Sequence, residues 1–327
     1  MSNKIDESNY ICLSAILRAR EARLLSRERM ERMLSESSYA DACRVAADAG
    51  WPDMSEMGVD GINAVLDARR TEEFADIRDM IPDKALLPLV CLQYDCHNAK
   101  VLVKSGGDTS RSASLFSAAG CYTVEELQEV YDNEESGGAL PDGFAEAIHE
   151  AKRSLARTGN PQLADYLLDR AYFAELLKTA QLAEKPFLET YVRSHIDKVN
   201  LRSLLRTLDM GRRGDLLANA LIEGGDVGLE QISDPALTKE DIARLYAVTI
   251  FADAAEAPDM TSFEKAADNA EKEYISGGSL IPYGPEVVLE YAAALENEIV
   301  SLRIILTGKR MGIGEETLRE RLRESYV

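Results

Sequence analysis

Over most of the chain apolar residues return every three or four positions, and strict apolar/polar alternation is scarce, a pattern that predicts helices almost throughout and an all-α protein. The first predicted helix covers residues 10–35, with Leu13, Ile16, Leu17, Leu24 and Met33 among its apolar positions. Its other face carries Arg18, Arg20, Arg23, Arg27, Arg29 and Arg32. Further helix starts are legible at Ser38, at Thr123, at Pro161, and at Thr238 with Asp241 three residues on, a capping-box-like spacing. Gly and Pro concentrate at residues 105–110, 133–143, 223–228 and 276–285, which predicts breaks there.

The pattern also repeats at long range. Residues 95–103 read DCHNAKVLV, 197–205 read DKVNLRSLL and 298–306 read EIVSLRIIL. Asp95 and Asp197 are 102 positions apart, and Asp197 and Glu298 are 101 apart. Each carboxylate is followed at the third position by Asn98, Asn200 or Ser301 and at the fifth by Lys100, Arg202 or Arg303. Leu86, Leu188 and Leu289 stand nine positions before it. A near-constant step across several positions predicts three related helical domains, residues 1–120, 121–225 and 226–327.

At about 100° per residue, the carboxylate falls inside its helix's apolar face, whereas the basic residue falls about 140° round, too far to be an obvious partner for its own acid. An ionised carboxylate in such a place is costly unless it is hydrogen-bonded. The expectation is a packing role, each acid held by its neighbouring Asn or Ser and by donors from an adjacent helix. A catalytic carboxylate is the sharper alternative, but acids spaced one per repeat do not make an acid/base pair.

Composition narrows the function. With 57 Asp+Glu against 37 Lys+Arg, a net charge of −20, the chain as a whole repels phosphate and anionic lipid. The Arg-rich first helix is interleaved with Glu21, Glu28 and Glu31 and lacks accompanying aromatic residues, so it reads as a solvated or partner-facing surface, with Arg18, Arg20, Arg23 and Arg27 as the partner-facing candidates, and not as a nucleic-acid patch. No run of about 18 apolar residues is present, and the opening MSNKIDESNY lacks a signal peptide's apolar core, which predicts a cytoplasmic protein with no membrane span. Cys12, Cys43, Cys91, Cys96 and Cys121 form no CxxC pair and read as reduced thiols. Cys91, Cys96 and His97 lie close in sequence but have no second ligand cluster, and no metal is expected. The P-loop, GxGxxG, GxSxG and HExxH patterns are all absent, so no catalytic residue, cofactor or nucleotide site is expected. Trp51, the single tryptophan, reads as a packing anchor.

The two ends carry a likeness to a known family. Arg18, Arg20, Arg23, Leu24, Leu25, Ser26 and Glu28 resemble the N-terminal signature of the C subunit of archaeal and bacterial V/A-type rotary ATPases, equivalent to the d subunit of the eukaryotic V-ATPase. Glu298, Leu302, Arg303, Ile305, Lys309, Gly312 and Glu316 are similar to its closing signature, with Ser301 where the family usually has Asn. The resemblance implies a funnel-like socket of three helical domains: a non-catalytic rotor subunit, peripheral on the cytoplasmic face of the membrane. It would seat the D and F subunits of the central stalk on the proteolipid rotor ring and transmit torque. The alternative from the residues alone is a helical-repeat adaptor unrelated to rotary ATPases, displaying a groove for peptides.

Overall fold

The computed structural model describes residues 5–134, 138–210 and 215–322. Among them every regular element is helical, and no helix is long and apolar enough to cross a membrane. The predicted break at 133–143 includes residues 135–137, and the opening decapeptide residues 1–4, which lie outside the described residues.

The helices, in order, are α1 (Ile11–Glu21), α2 (Arg27–Ser35), α3 (Tyr39–Asp48), α4 (Val59–Met80), α5 (Pro88–Lys104), α6 (Val124–Asp132), α7 (Asp142–Thr158) and α8 (Pro161–Leu182). They continue as α9 (Pro186–Asp209), α10 (Asp215–Ala220), α11 (Leu229–Ile232), α12 (Lys239–Tyr246), α13 (Ala252–Ala255), α14 (Met260–Ser276), α15 (Pro285–Arg310) and α16 (Glu315–Arg321). By contacts the chain divides into two compact units. One spans Asp83–Ala267, the other Asp6–Pro82 together with the residues from Asp268 onward, and the boundary falls within α14.

In the first unit α8 packs against α5, α7 and α9. The α7–α8 turn is encoded locally: Gly159 closes α7 at φ 65°, the Asn160 side chain accepts the Gln162 N–H at 3.0 Å, and Pro161 opens α8 at the position where a missing N–H costs nothing. Further caps stand at the other three predicted starts, and at α3 the Ser38 hydroxyl accepts the Asp41 N–H at 3.1 Å. Thr123 and Glu126 exchange hydrogen bonds at the head of α6, and Thr238 and Asp241 do the same at α12.

In the second unit the 26-residue α15 is the central element, packed by α4, α1, α3, α2 and α16. Pro285 to Ala292 are all buried, so the first two turns of α15 are enclosed on every side, and Leu295, Ile299, Leu302 and Ile305, each fully buried, continue one buried face beyond them. Sequence periodicity predicts one helix over residues 10–35, but the structure divides it into α1 and α2, separated by Ala22–Ser26. Leu24 and Leu25 are both buried there, and the Ser26 hydroxyl caps α2 by accepting the Arg29 N–H. Apolar spacing continues through such a corner because both helices face one core, so periodicity alone does not detect it.

Candidate functional site

Asp95 on α5 is fully buried and faces the loop that leads into α6. Its Oδ2 accepts the Cys121 N–H at 2.7 Å and its Oδ1 the Tyr122 N–H at 3.1 Å. Thr123, the N-cap of α6, follows directly. One turn along α5, the Asn98 amide donates to the Ser117 carbonyl and accepts the Ser117 N–H, both at 2.8 Å. Gly120 lies so close to the carboxylate that a Cβ there would stand 2.1 Å from Oδ1.

The same clasp recurs on α9. Asp197, 1 % exposed, accepts the N–H groups of Asp226 at 3.1 Å and Val227 at 3.2 Å, and Gly228 then caps α11. Asn200 holds the backbone of Ile222 through two 2.8 Å bonds, and a Cβ on Gly225 would again fall 2.1 Å from the carboxylate. Burial pushes the Asp197 carboxyl up to about 6, partly opposed by its bonds to the two backbone N–H groups.

The third copy, on α15, is built differently. Glu298 Oε1 accepts the Leu25 N–H at 2.8 Å and the Trp51 indole N–H at 3.3 Å, and Ser26, the next residue, caps α2. Burial raises the Glu298 carboxyl above the ordinary glutamate value, against the lowering effect of these two donors. Ser301 is buried at 2 % exposure. Three positions before the N-cap, where the first two clasps have glycine, this one has Arg23.

Each basic residue at the fifth position reaches a second helix. Lys100 pairs with Asp169 on α8 at 2.5 Å, Arg202 with Glu264 on α14 at 2.6 Å, and Arg303 with Asp67 on α4 at 3.0 Å and with Asn63 at 3.1 Å. Here α4, α8 and α14 are the long helices preceding α5, α9 and α15. Each long helix therefore grips, by its acid, the loop opening the next copy of the pattern and, by its base, that copy's penultimate long helix. The third copy grips the first. These pairs are partly exposed, so each contributes only about 0.2–1 kcal/mol, and the buried acid–amide bonds fix the register more strongly.

The four arginines proposed as one face separate into two groups. Arg18 binds Glu290 at 2.6 Å, Glu21 at 2.8 Å and the Gly278 carbonyl at 2.8 Å. Arg20 binds Glu73 at 2.7 Å and Asp76 at 2.6 Å. Arg23 and Arg27 are exposed and make no ion pair with any described residue. Glu73, 4 % exposed, also accepts from Arg69 and the Tyr291 hydroxyl, a cluster that no sequence motif marks. Nor does one mark the backbone donors at residues 25, 121–122 and 226–227, since a backbone N–H is common to nearly every residue. The glycines three residues before Thr123 and Gly228 were the available signal.

His97 and His149 each bond a backbone carbonyl, of Leu115 and Val130. Among the described residues no three His, Cys, Asp or Glu side chains converge as a group able to hold a metal ion. Both oxygens of Asp95 and of Asp197 are taken up by backbone amides, an arrangement suited to holding chain segments in place.

A model of the ATP synthase (C/AC39) subunit family matches residues 13–321. The chain is similar to the C subunit of the V-type sodium ATPase of Enterococcus hirae, 22 % identical over 97 % of this chain and 99 % of that protein. It is similar to the C subunit of the V-type ATP synthase of Thermus thermophilus, 21 % identical over 95 % and 98 %, and to that of the A-type ATP synthase of Haloferax volcanii, 25 % identical over 81 % and 82 %. A match that takes in α1 with its arginines, all three clasps and α16 leaves one assignment: the chain belongs to the ATP synthase (C/AC39) subunit family.

Proposed function

We propose that the chain is the central-rotor subunit of a V/A-type ATPase, which seats the D and F subunits of the central stalk on the proteolipid ring and carries torque between ATP turnover and proton or sodium movement. The family match over residues 13–321 carries this reading. In it the protein is non-catalytic and works as a stiff coupling at the cytoplasmic face of the membrane. Packed helices whose loops are tied by buried carboxylates support such a role, because a coupler must pass on a twist without yielding.

The three-domain division at residues 1–120, 121–225 and 226–327 belongs to the same proposal. The recurrence of acid, glycine and cap at loops 120–123 and 225–228 supports both internal boundaries. Of the proposed partner-facing arginines, Arg23 and Arg27 have side chains available to a partner, whereas Arg18 and Arg20 are engaged within their own unit.

The test is a pull-down of the tagged protein from its own detergent-solubilised membranes, with mass-spectrometric identification of what is recovered. Proteolipid and stalk proteins together are expected. Recovery of soluble partners only, with no stalk or ring protein, would overturn the rotor reading and favour the helical adaptor.

A further inference from the structure

The third clasp differs from the other two in a way that creates a site. Glu298 is 4 % exposed, and its only hydrogen bonds, from Leu25 and Trp51, both go to Oε1, so Oε2 is without a partner among the described residues. In the first two clasps both oxygens are bound and a glycine closes the space beside the acid. Here Arg23 takes the glycine's place, and a cavity of about 450 Å³ lies against Glu298. That volume is within the range of small-ligand sites.

Leu24, Trp51, Val65 and Ala68 contribute apolar surface to its lining. The polar lining has a definite charge balance. Arg20 and Arg69 line the cavity but are compensated by Glu73 and Asp76. Arg23, Glu72 and Glu298 Oε2 have no such compensation among the described residues. A simple anion would meet two carboxylates, and a simple amine would meet three guanidinium groups. A molecule bearing both charges satisfies both sets, since a carboxylate oxygen that opens on the cavity accepts donors and an unpaired arginine offers them.

We propose that this cavity binds a small zwitterion of the α-amino acid class with an apolar side chain, its ammonium group donating to Glu298 Oε2, its carboxylate meeting Arg23 and its side chain lying against Trp51 and Leu24. Because Trp51 is the single tryptophan, its emission reports on this cavity alone. The test titrates the full-length protein with L-leucine and with two analogues, isopentylamine, which lacks the carboxylate, and 4-methylpentanoate, which lacks the ammonium. A saturable change in Trp51 emission is expected with L-leucine, and binding weaker by about tenfold or more with either analogue, as loss of one charged hydrogen bond requires.

Arg23→Ala, at an exposed position, is expected to weaken L-leucine binding to the same degree with an unchanged unfolding midpoint. Glu298→Gln, which keeps the Oε1 acceptor, should weaken it too. No saturable response to L-leucine, equal responses to the three compounds, or full binding by Arg23→Ala would each overturn the proposal. The outcome is independent of which proteins are recovered with the chain from membranes.

Discussion

The carboxylate of Glu298 accepts a 2.8 Å hydrogen bond from the backbone N–H of Leu25, a residue 273 positions earlier in the chain. The equivalent bonds of Asp95 and Asp197 span only 26 to 30 positions. The same local device thus ties neighbouring segments twice and, on its third use, joins the last long helix to the corner between α1 and α2.

Asn200→Ala leaves the buried N–H and C=O of Ile222 unpaired, and Asn98→Ala does the same to the half-buried backbone of Ser117, where the lower end of the cost applies. Each is expected to destabilise the protein by about 2–4 kcal/mol, from about 1–3 kcal/mol per buried unsatisfied group with partial relaxation. Ser301→Ala removes a buried hydroxyl with no bond to a described residue, and a cost under about 1 kcal/mol is expected. Urea unfolding followed by circular dichroism separates the two. Equal effects at all three positions would refute the asymmetry of the third clasp.

Gly120→Ala and Gly225→Ala place a methyl group 2.1 Å from a carboxylate oxygen, so either the loop or the acid must move. Overpacking of this kind costs about 1–3 kcal/mol, and the displaced N–H bonds add to it. Gly143, in the first turn of α7, has no neighbour within 4 Å of a built Cβ, so Gly143→Ala is expected to be neutral or slightly stabilising. Thermal melts of the three variants decide the matter.

The folded-state value of about 6 for Asp197 lies above its unfolded value near 3.8, so the native state binds the proton more tightly. A raised carboxyl pKa is a cost in its ionised form: it is fully present above about pH 6, shrinks as pH falls, and vanishes below the unfolded value. At about 1.36 kcal/mol per pH unit, the wild type should gain up to about 3 kcal/mol from this group between pH 7 and pH 4. Asp197→Asn cannot titrate. Wild-type stability minus that of Asp197→Asn should therefore rise as pH falls through this window, and a difference independent of pH would contradict the assignment.

Arg18→Ala leaves Glu290, 2 % exposed, without its guanidinium partner. Breaking a buried pair in this way costs about 3–5 kcal/mol, and since Arg18 is a quarter exposed the lower end is expected. Arg27→Ala should leave the unfolding midpoint unchanged. Differential scanning calorimetry on the two variants tests whether arginines read from one helical face have divided into structural and surface roles.

Much of the architecture was legible in the chain. Three- and four-residue apolar spacing determined that the elements are helices, caps such as Thr123 and Thr238 determined where several begin, and the step of about 100 residues singled out Asp95, Asp197 and Glu298, each of which is buried and accepts a backbone N–H. These are local or periodic properties, carried by residue identity and spacing. Tertiary structure decided what the acids and bases bind. It supplied backbone amides as donors for the carboxylates, Asp169, Glu264 and Asp67 as partners for the basic residues, and a corner at Ala22–Ser26 inside a continuous helical pattern. A side chain's partner is the group that packing brings within about 3 Å, and no spacing along one helix specifies which distant segment that is.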